Sequence, residues 1–243
     1  MDIRVAAPRR LPQPVATQRV TTGFAANFYL TNRSSKRRVP AMAREKQFDD
    51  AAVLESAADV FAAHGYQGTS LSMLLEATGL GKQSLYNSFG DKRALYLQAV
   101  ECAAARYGAV QAQMQRAADG RAAIAVFFEH LLGNCGSADP AKKSCVVSLG
   151  LLEGMDDALI VQRLREKWLG THELLRAAVE RGQKDGSIRS AAPSAELADV
   201  LLSLMSGLRV SARANVDKKR LQRTVALGLS LLDQAAPAAK DTS

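Results

Sequence analysis

From Phe48 to about Gln234 the apolar residues of this chain recur at every third or fourth position, and no stretch shows the strict alternation of a half-buried strand. Stripes spaced this way can only be buried helix against helix, so the pattern predicts an all-α fold. The first helix places Leu54, Ala57, Ala58 and Phe61 on one face and stops at His64 and Gly65, where glycine supplies the left-handed residue that ends helices. Thr69 or Ser70 then caps a short helix to about Thr78 that buries Leu71, Leu74 and Leu75. After the turn Gly79-Leu80-Gly81, barely two helical turns run from Lys82 to Phe89, and Asp91 caps a long helix expected to reach about Ala117. Arg121 to Leu132 is amphipathic, Gly133 to Ser144 reads as a loop, and Cys145 to Leu152 opens another apolar segment. Asp156 or Asp157 starts a long helix with Ile160, Leu164, Trp168, Leu175 and Val179 in phase, ending near Gly186. Two more follow Pro193, one with the stripe Leu197, Leu201, Leu204 and Leu208, the other with Leu221, Val225 and Leu232. The expected architecture is a compact three-helix head and a larger helical body.

Nearly half of the 243 residues are apolar, enough for a sizeable core. No apolar run approaches the roughly 20 residues that span a bilayer, and Arg9 and Arg10 lead into Leu-Pro-Gln-Pro rather than a secretory apolar stretch. No membrane partner is expected, and the chain reads as cytoplasmic. Cys102, Cys135 and Cys145 form no CxxC pair and match no histidine spacing, so neither a metal site nor a disulfide framework is indicated, and no cofactor is expected. The net charge of +8 suggests nucleic acid until it is divided along the chain. Arg4, Arg9, Arg10, Arg19, Arg33, Lys36, Arg37 and Arg38 stand against Asp2 alone, so all but one of the net charges precede Met42. DNA binding by the folded part must therefore rest on where individual charges sit. Residues 1–41, with four prolines and no sustained period, read as a disordered basic leader. It either adds phosphate contacts or precedes the natural start, and the helical pattern that opens directly after Met42 favours the second. Residues 235–243 read as a disordered tail.

The stretch GLGKQSLYNSFGDKRALY, residues 79–96, carries the chemistry. Two short helices joined by a glycine turn and supported by a third form a helix-turn-helix, whose second helix enters the major groove of DNA. Leu80, Leu85 and Phe89 can point inward together, which turns Lys82, Gln83, Ser84, Tyr86 and Asn87 outward. Gln and Asn can bond adenine edges, Lys can bond guanine or phosphate, and a Tyr hydroxyl commonly reaches a phosphate. The restart at Asp91 presents a fresh helix N-terminus, so Lys92 and the neighbouring backbone suit a phosphate, as does Thr69 before the turn.

The longer segment AAHGYQGTSLSMLLEATGLGKQSLYNSFGDKRALY resembles the N-terminal domain of TetR-family transcriptional repressors. That family shows a Phe-x-x-x-Gly-Tyr-x-x-Thr-Ser opening, a Gly-Val/Leu-Ser/Gly-Lys/Arg turn, then Leu/Phe-Tyr-x-x-Phe-x-x-Lys-x-x-Leu. The resemblance covers about fifty residues in register. It implies a two-fold dimer whose Lys82–Phe89 helices enter successive major grooves of a near-palindromic operator. It assigns Thr69, Tyr86 and Lys92 to phosphate and Gln83, Ser84 and Asn87 to base reading. Gly81 departs from the family's frequent capping Ser, a change that weakens the helix start slightly. The division it implies is 42–92 for the DNA-binding domain and 93–234 for ligand binding and dimerisation, with the last two helical stripes pairing with their copies, ordinary core packing being the competing explanation for some of their leucines. The long helix opened at Asp91 would be the lever between the two parts.

An inducer, a small molecule of unknown identity, is expected in the body between Arg121 and about Arg181. Phe127, Phe128, His130, Trp168 and His172 are the candidates for its lining, each with ordinary core packing as the competing explanation. KKSCVVSLG sets Cys145 beside Lys142 and Lys143 at an expected helix start, the surroundings of a reactive thiol, and it resembles a Gly-Cys-Leu/Val segment of TetR-like regulators, some of which respond to electrophiles or oxidants. Burial as a small apolar residue is the alternative for Cys145. The leading reading is a DNA-binding repressor released by a small molecule. A helical ligand carrier or enzyme competes with it, but the chain has no Ser/His/Asp set, no phosphate loop and no suggestive carboxylate pair, and no enzymatic activity is expected.

Overall fold

The folded part opens at Asp49, whose carboxylate accepts a hydrogen bond from the Ala51 N–H at 2.9 Å and caps α1 (Asp50–Gly68). The computed structural model describes residues 48–135 and 137–234, so the expected leader and tail lie outside the described residues. Ten further α-helices follow among them: α2 (Leu71–Thr78), α3 (Lys82–Phe89), α4 (Lys92–Ala105), α5 (Tyr107–Arg116), α6 (Gly120–Cys135), α7 (Pro140–Lys143), α8 (Val146–Leu152), α9 (Ala158–Asp185), α10 (Ser194–Arg213) and α11 (Lys218–Leu229). A 3₁₀ turn at Ser230–Asp233 closes the last of them, and no strand occurs among the described residues. The all-α class and the helix-turn-helix order are as the periodicity predicts.

In the head, Val53, Ala57, Ala58 and Phe61 of α1 are buried against Leu74, Leu85 and Phe89. Tyr96 meets Phe61 edge to face with ring centroids 4.9 Å apart, the favourable geometry for an aromatic pair. The head's core does not stop at residue 92: Leu95, Tyr96, Ala99 and Val100 complete it, and Val146, Val147, Ile160 and Leu164 continue it into α8 and α9. A second core gathers Ile124, Phe128, Leu175, Val179, Leu201, Leu208, Leu221 and Val225 from α6, α9, α10 and α11.

One open choice is settled and three local expectations change. Ser70, not Thr69, is the cap of α2, accepting from the Met73 N–H at 3.3 Å. The helix expected from Asp91 to Ala117 is interrupted at Arg106, which separates α4 from α5 and whose side chain pairs with Asp59 at 2.5 Å and donates to the Glu55 carbonyl at 3.0 Å. The supposed loop 133–144 contains the end of α6 and the single turn α7, which Asp139 caps and Pro140 opens. The stripes assigned to a partner subunit, Leu197, Leu201, Leu208, Leu221, Val225 and Leu232, are buried within the chain's own core. Leu204 is half-buried against α11, close enough to Gly228 that a Cβ there would collide with it. The outward apolar residues of these two helices are instead Val200, Val210 and Leu227, with Leu231 just beyond.

Candidate functional site

The head presents α3 as an eight-residue helix with two opposed faces. Leu85 and Phe89 are buried and Leu80 is half-buried; Lys82, Gln83, Ser84 and Asn87 are exposed, and Tyr86 is half-buried. The faces follow from spacing, since positions 85 and 89 share one side while 83 and 87 share another. Gln83 Nε2 donates to Asn87 Oδ1 at 2.8 Å, so the two amides stand together as an i,i+4 pair on the outward surface. Gly79, left-handed at φ 67°, lets the chain leave α2 and return its N–H to the Leu75 carbonyl at 3.0 Å. Gln98 Nε2 donates to the Phe89 carbonyl at 2.9 Å and holds the end of α3 against α4.

The flanking positions differ from one another. Lys92 begins α4 with its Nζ 4.7 Å from the centroid of the Tyr66 ring, and partial burial pushes its pKa down. Thr69 is buried, and its hydroxyl donates to the Gly65 carbonyl at 2.5 Å, so its side chain stabilises the end of α1 and does not reach outward. The exposed hydroxyl at that corner belongs to Ser70, 2.8 Å from that of Ser72.

Below the head a cavity of about 600 Å³ is bounded by residues from α1, α4 to α7, the start of α8, α9 and α10. The size is that of a small-molecule site. Ala58, Asp59 and Ala62 of α1 form part of its wall, and so do Ala103 and Ala104 of α4, the helix whose Gln98 holds the end of α3. Of the predicted lining residues Phe127, His130 and Trp168 are on this wall. Phe128 lies one position round α6 and is fully buried in the second core. His172 is outside the cavity, 3.2 Å from Asp199 and also within reach of Glu173 and the Ala195 carbonyl. Cys145, half-buried, is the N-cap residue of α8 and shares the wall with Lys142, while Lys143 Nζ turns away to Asn215 Oδ1 at 2.9 Å.

Arg209, Tyr107 and Ser144 join the wall without having been expected there. Arg209 is only 5% exposed; it donates through Nη1 to the Ser144 carbonyl at 2.6 Å and through Nη2 to the Tyr107 hydroxyl. Burial pushes the Tyr107 pKa up, and burial together with Arg209 pushes that of His130 down, so both stay neutral beside it. The signal for Arg209 is present in the pattern: it falls in phase with Ala198, Leu202, Met205 and Ala212 on the buried face of α10. No group of three or more potential metal ligands occurs among the described residues.

A small reading helix in a three-helix head, joined to an all-helical body with a ligand-sized cavity, defines a helix-turn-helix DNA-binding regulator. Residues 53–99 match the description "Bacterial regulatory proteins, tetR family". The chain is 32% identical over 200 residues to the uncharacterized HTH-type transcriptional regulator YezE of Bacillus subtilis, covering 79% of this chain and all of that one. It is 26% identical over 193 residues to the HTH-type transcriptional repressor ComR of Escherichia coli, covering 77% of this chain and 90% of that one. Among solved structures it is similar to a cysteine mutant of the TetR family transcriptional regulator CifR complexed with 26-bp double-strand operator DNA, at 28% identity and a TM-score of 0.68 over 76% of this chain and 98% of that one. The chain belongs to the tetR family of transcriptional regulators and is not an enzyme. No helix among the described residues is long and apolar enough to cross a membrane.

Proposed function

We propose that the chain acts in the cytoplasm as a homodimeric repressor that grips a near-palindromic operator with two copies of α3 and is released by a small-molecule inducer. Residues 42–92 are the DNA-reading unit in this reading, and 93–234 carry the ligand and the dimer contact. The observation that carries it is the double role of α4, which holds the end of α3 through the Gln98 Nε2 bond to the Phe89 carbonyl and lends Ala103 and Ala104 to the cavity wall. A molecule filling the cavity presses on the support of the reading helix. Gln83, Ser84 and Asn87 read base edges, Lys82 reads a guanine edge or a phosphate, and Tyr86 and Lys92 hold phosphates. Thr69 contributes through the backbone it fixes, since its hydroxyl is committed to Gly65. The copies meet through the outward apolar residues Val200, Val210 and Leu227 of α10 and α11. A reading face this small needs two half-sites for useful affinity. The test is a mobility shift on DNA from upstream of the chain's own gene. Tyr86→Ala and Lys92→Ala are each expected to weaken specific binding tenfold or more, and undiminished binding by both overturns the assignment.

A second reading, an electrophile or oxidant sensor acting through Cys145, is favoured by one observation: the thiol is half-buried in the cavity wall, where a ligand would meet it. Release from DNA by a quinone or peroxide should disappear in Cys145→Ser, and unchanged release there removes this reading.

A further inference from the structure

We propose that the cavity takes a small apolar carboxylate, with its acid group paired to the Arg209 guanidinium and its hydrocarbon part against Phe127, Trp168 and Met205. The inference rests on the inducer reading above and specifies its ligand. Arg209 lies in the cavity wall with 5% of its surface exposed, and none of its partners carries a negative charge. The Ser144 carbonyl and the Tyr107 hydroxyl accept from Nη1 and Nη2, whereas Nε has no partner. No Asp or Glu lies within ion-pair distance of the guanidinium among the described residues. Arg213, one turn further along α10, bonds the Ser144 hydroxyl at 2.7 Å and adds positive charge beside the first.

An uncompensated buried cation is among the costliest groups a core can hold, and proteins ordinarily supply a carboxylate for it. Here the other ionic groups of the wall, apart from the exposed Lys142, have such partners. Asp59 holds Arg106 at 2.5 Å, Glu101 holds Lys167 at 2.5 Å, and Arg163 holds Glu166 at 2.9 Å. Arg209 stands apart from that pattern, at the edge of a space lined largely by apolar side chains. The two neutral hydrogen bonds brace α10 against α5 and the start of α8, but they leave the charge unmatched. A planar acid matches the guanidinium fork, and a bound carboxylate would supply the missing counter-charge while its apolar part displaces water from Phe127 and Trp168.

Trp168 is the chain's one tryptophan and lies in the wall, so its fluorescence reports occupancy of the full-length protein. The probes are benzoate, phenylacetate, 4-phenylbutyrate and octanoate, each paired with its primary amide, with acetate as the anion lacking an apolar part. At least one acid is expected to bind saturably, tenfold or more tighter than its amide, and to release operator DNA. In Arg209→Met the preference for acid over amide should vanish while operator binding persists. Equal binding of acids and amides, no binding by any acid, acetate matching the larger acids, or an undiminished preference in Arg209→Met each overturns the proposal. Should Arg209→Met not fold, the acid and amide pairs on the unaltered protein decide. Operator release by a neutral amide alone would sink the carboxylate and leave the inducer reading standing; failure to bind the operator at all would sink that reading itself.

Discussion

Glu153 offers the most direct way to test how the body holds the head. α1 breaks at Gly65, where φ is 76° and ψ 176°, and the turn beyond it leaves the N–H groups of Tyr66 and Gln67 without helical acceptors. Glu153, at the C-terminal end of α8, accepts both, from Tyr66 at 2.8 Å and from Gln67 at 3.0 Å. A hydrogen bond to a charged acceptor contributes about 1.5–3 kcal/mol. Gln67 is exposed and its N–H can turn to water, so the half-buried Tyr66 bond dominates, and Glu153→Ala should cost about 1.5–3 kcal/mol. For a domain of this size each kcal/mol moves Tm by about 2–4 °C, which places the expected fall at roughly 3–12 °C. The opposite end of α8 enters the cavity wall through Val146 and Val147, only about 10 Å away along a helix of seven residues. The same substitution should therefore lower operator affinity and blunt its response to inducer. A Cβ at Gly65 would collide with the Glu153 carboxylate, so Gly65→Ala and Glu153→Ala together should cost less than their separate effects added. Calorimetry and operator titration of the three variants provide the check. Glu153→Ala with an unchanged Tm, or with both unchanged operator affinity and unchanged inducer response, refutes the coupling.

Asp157 caps α9 and is bound by Arg93 of α4, which with the Ile160 N–H lowers its pKa to about 2. A carboxylate that ionises more readily folded than unfolded adds stability above the ordinary value of about 3.9 and loses it as pH falls towards 2. Arg93→Met should raise that pKa and flatten the acid limb of the stability curve between about pH 4 and pH 2, measured by urea unfolding, and an unaltered limb contradicts the pairing. Leu227 is 75% exposed on α11, and Leu227→Asp should shift sedimentation from dimer to monomer with helicity intact and operator affinity reduced at least tenfold; a persisting dimer places the contact elsewhere.

The head is legible in the sequence because its determinants are local. Gly79 needs a left-handed turn, Asp91 needs a helix to cap, and Leu85 and Phe89 need the same side of a short helix; each requirement is written within a few residues of where it acts. Where a distant segment decides, the local pattern misleads. Nothing around Ala105 announces the interruption at Arg106, the residue whose side chain reaches across to Asp59 and Glu55 of α1. Thr69 and Ser70 are equally good caps by residue type, and the choice falls to Ser70 because Thr69 turns inward to Gly65.

The outward faces of α10 and α11 escape periodicity for the same cause. A leucine stripe shows that a face is buried without showing what buries it, and the body's own core takes the strongest stripes first. What remains outward is the weaker set Val200, Val210 and Leu227, scattered among charged residues and nearly invisible to periodicity. Arg209 inverts the case: a charged residue on a stripe otherwise made of Ala198, Leu202, Met205 and Ala212 contradicts the pattern around it. Folding alone would favour an apolar residue there, and the carboxylate proposed above would supply the counter-charge that the chain itself does not. The interruption of a stripe is thus as informative as its continuity, and it singles out Arg209 by phase and charge together, whereas aromatic or imidazole character finds Phe127, His130 and Trp168 on the wall but points equally to Phe128 and His172, which lie away from the cavity.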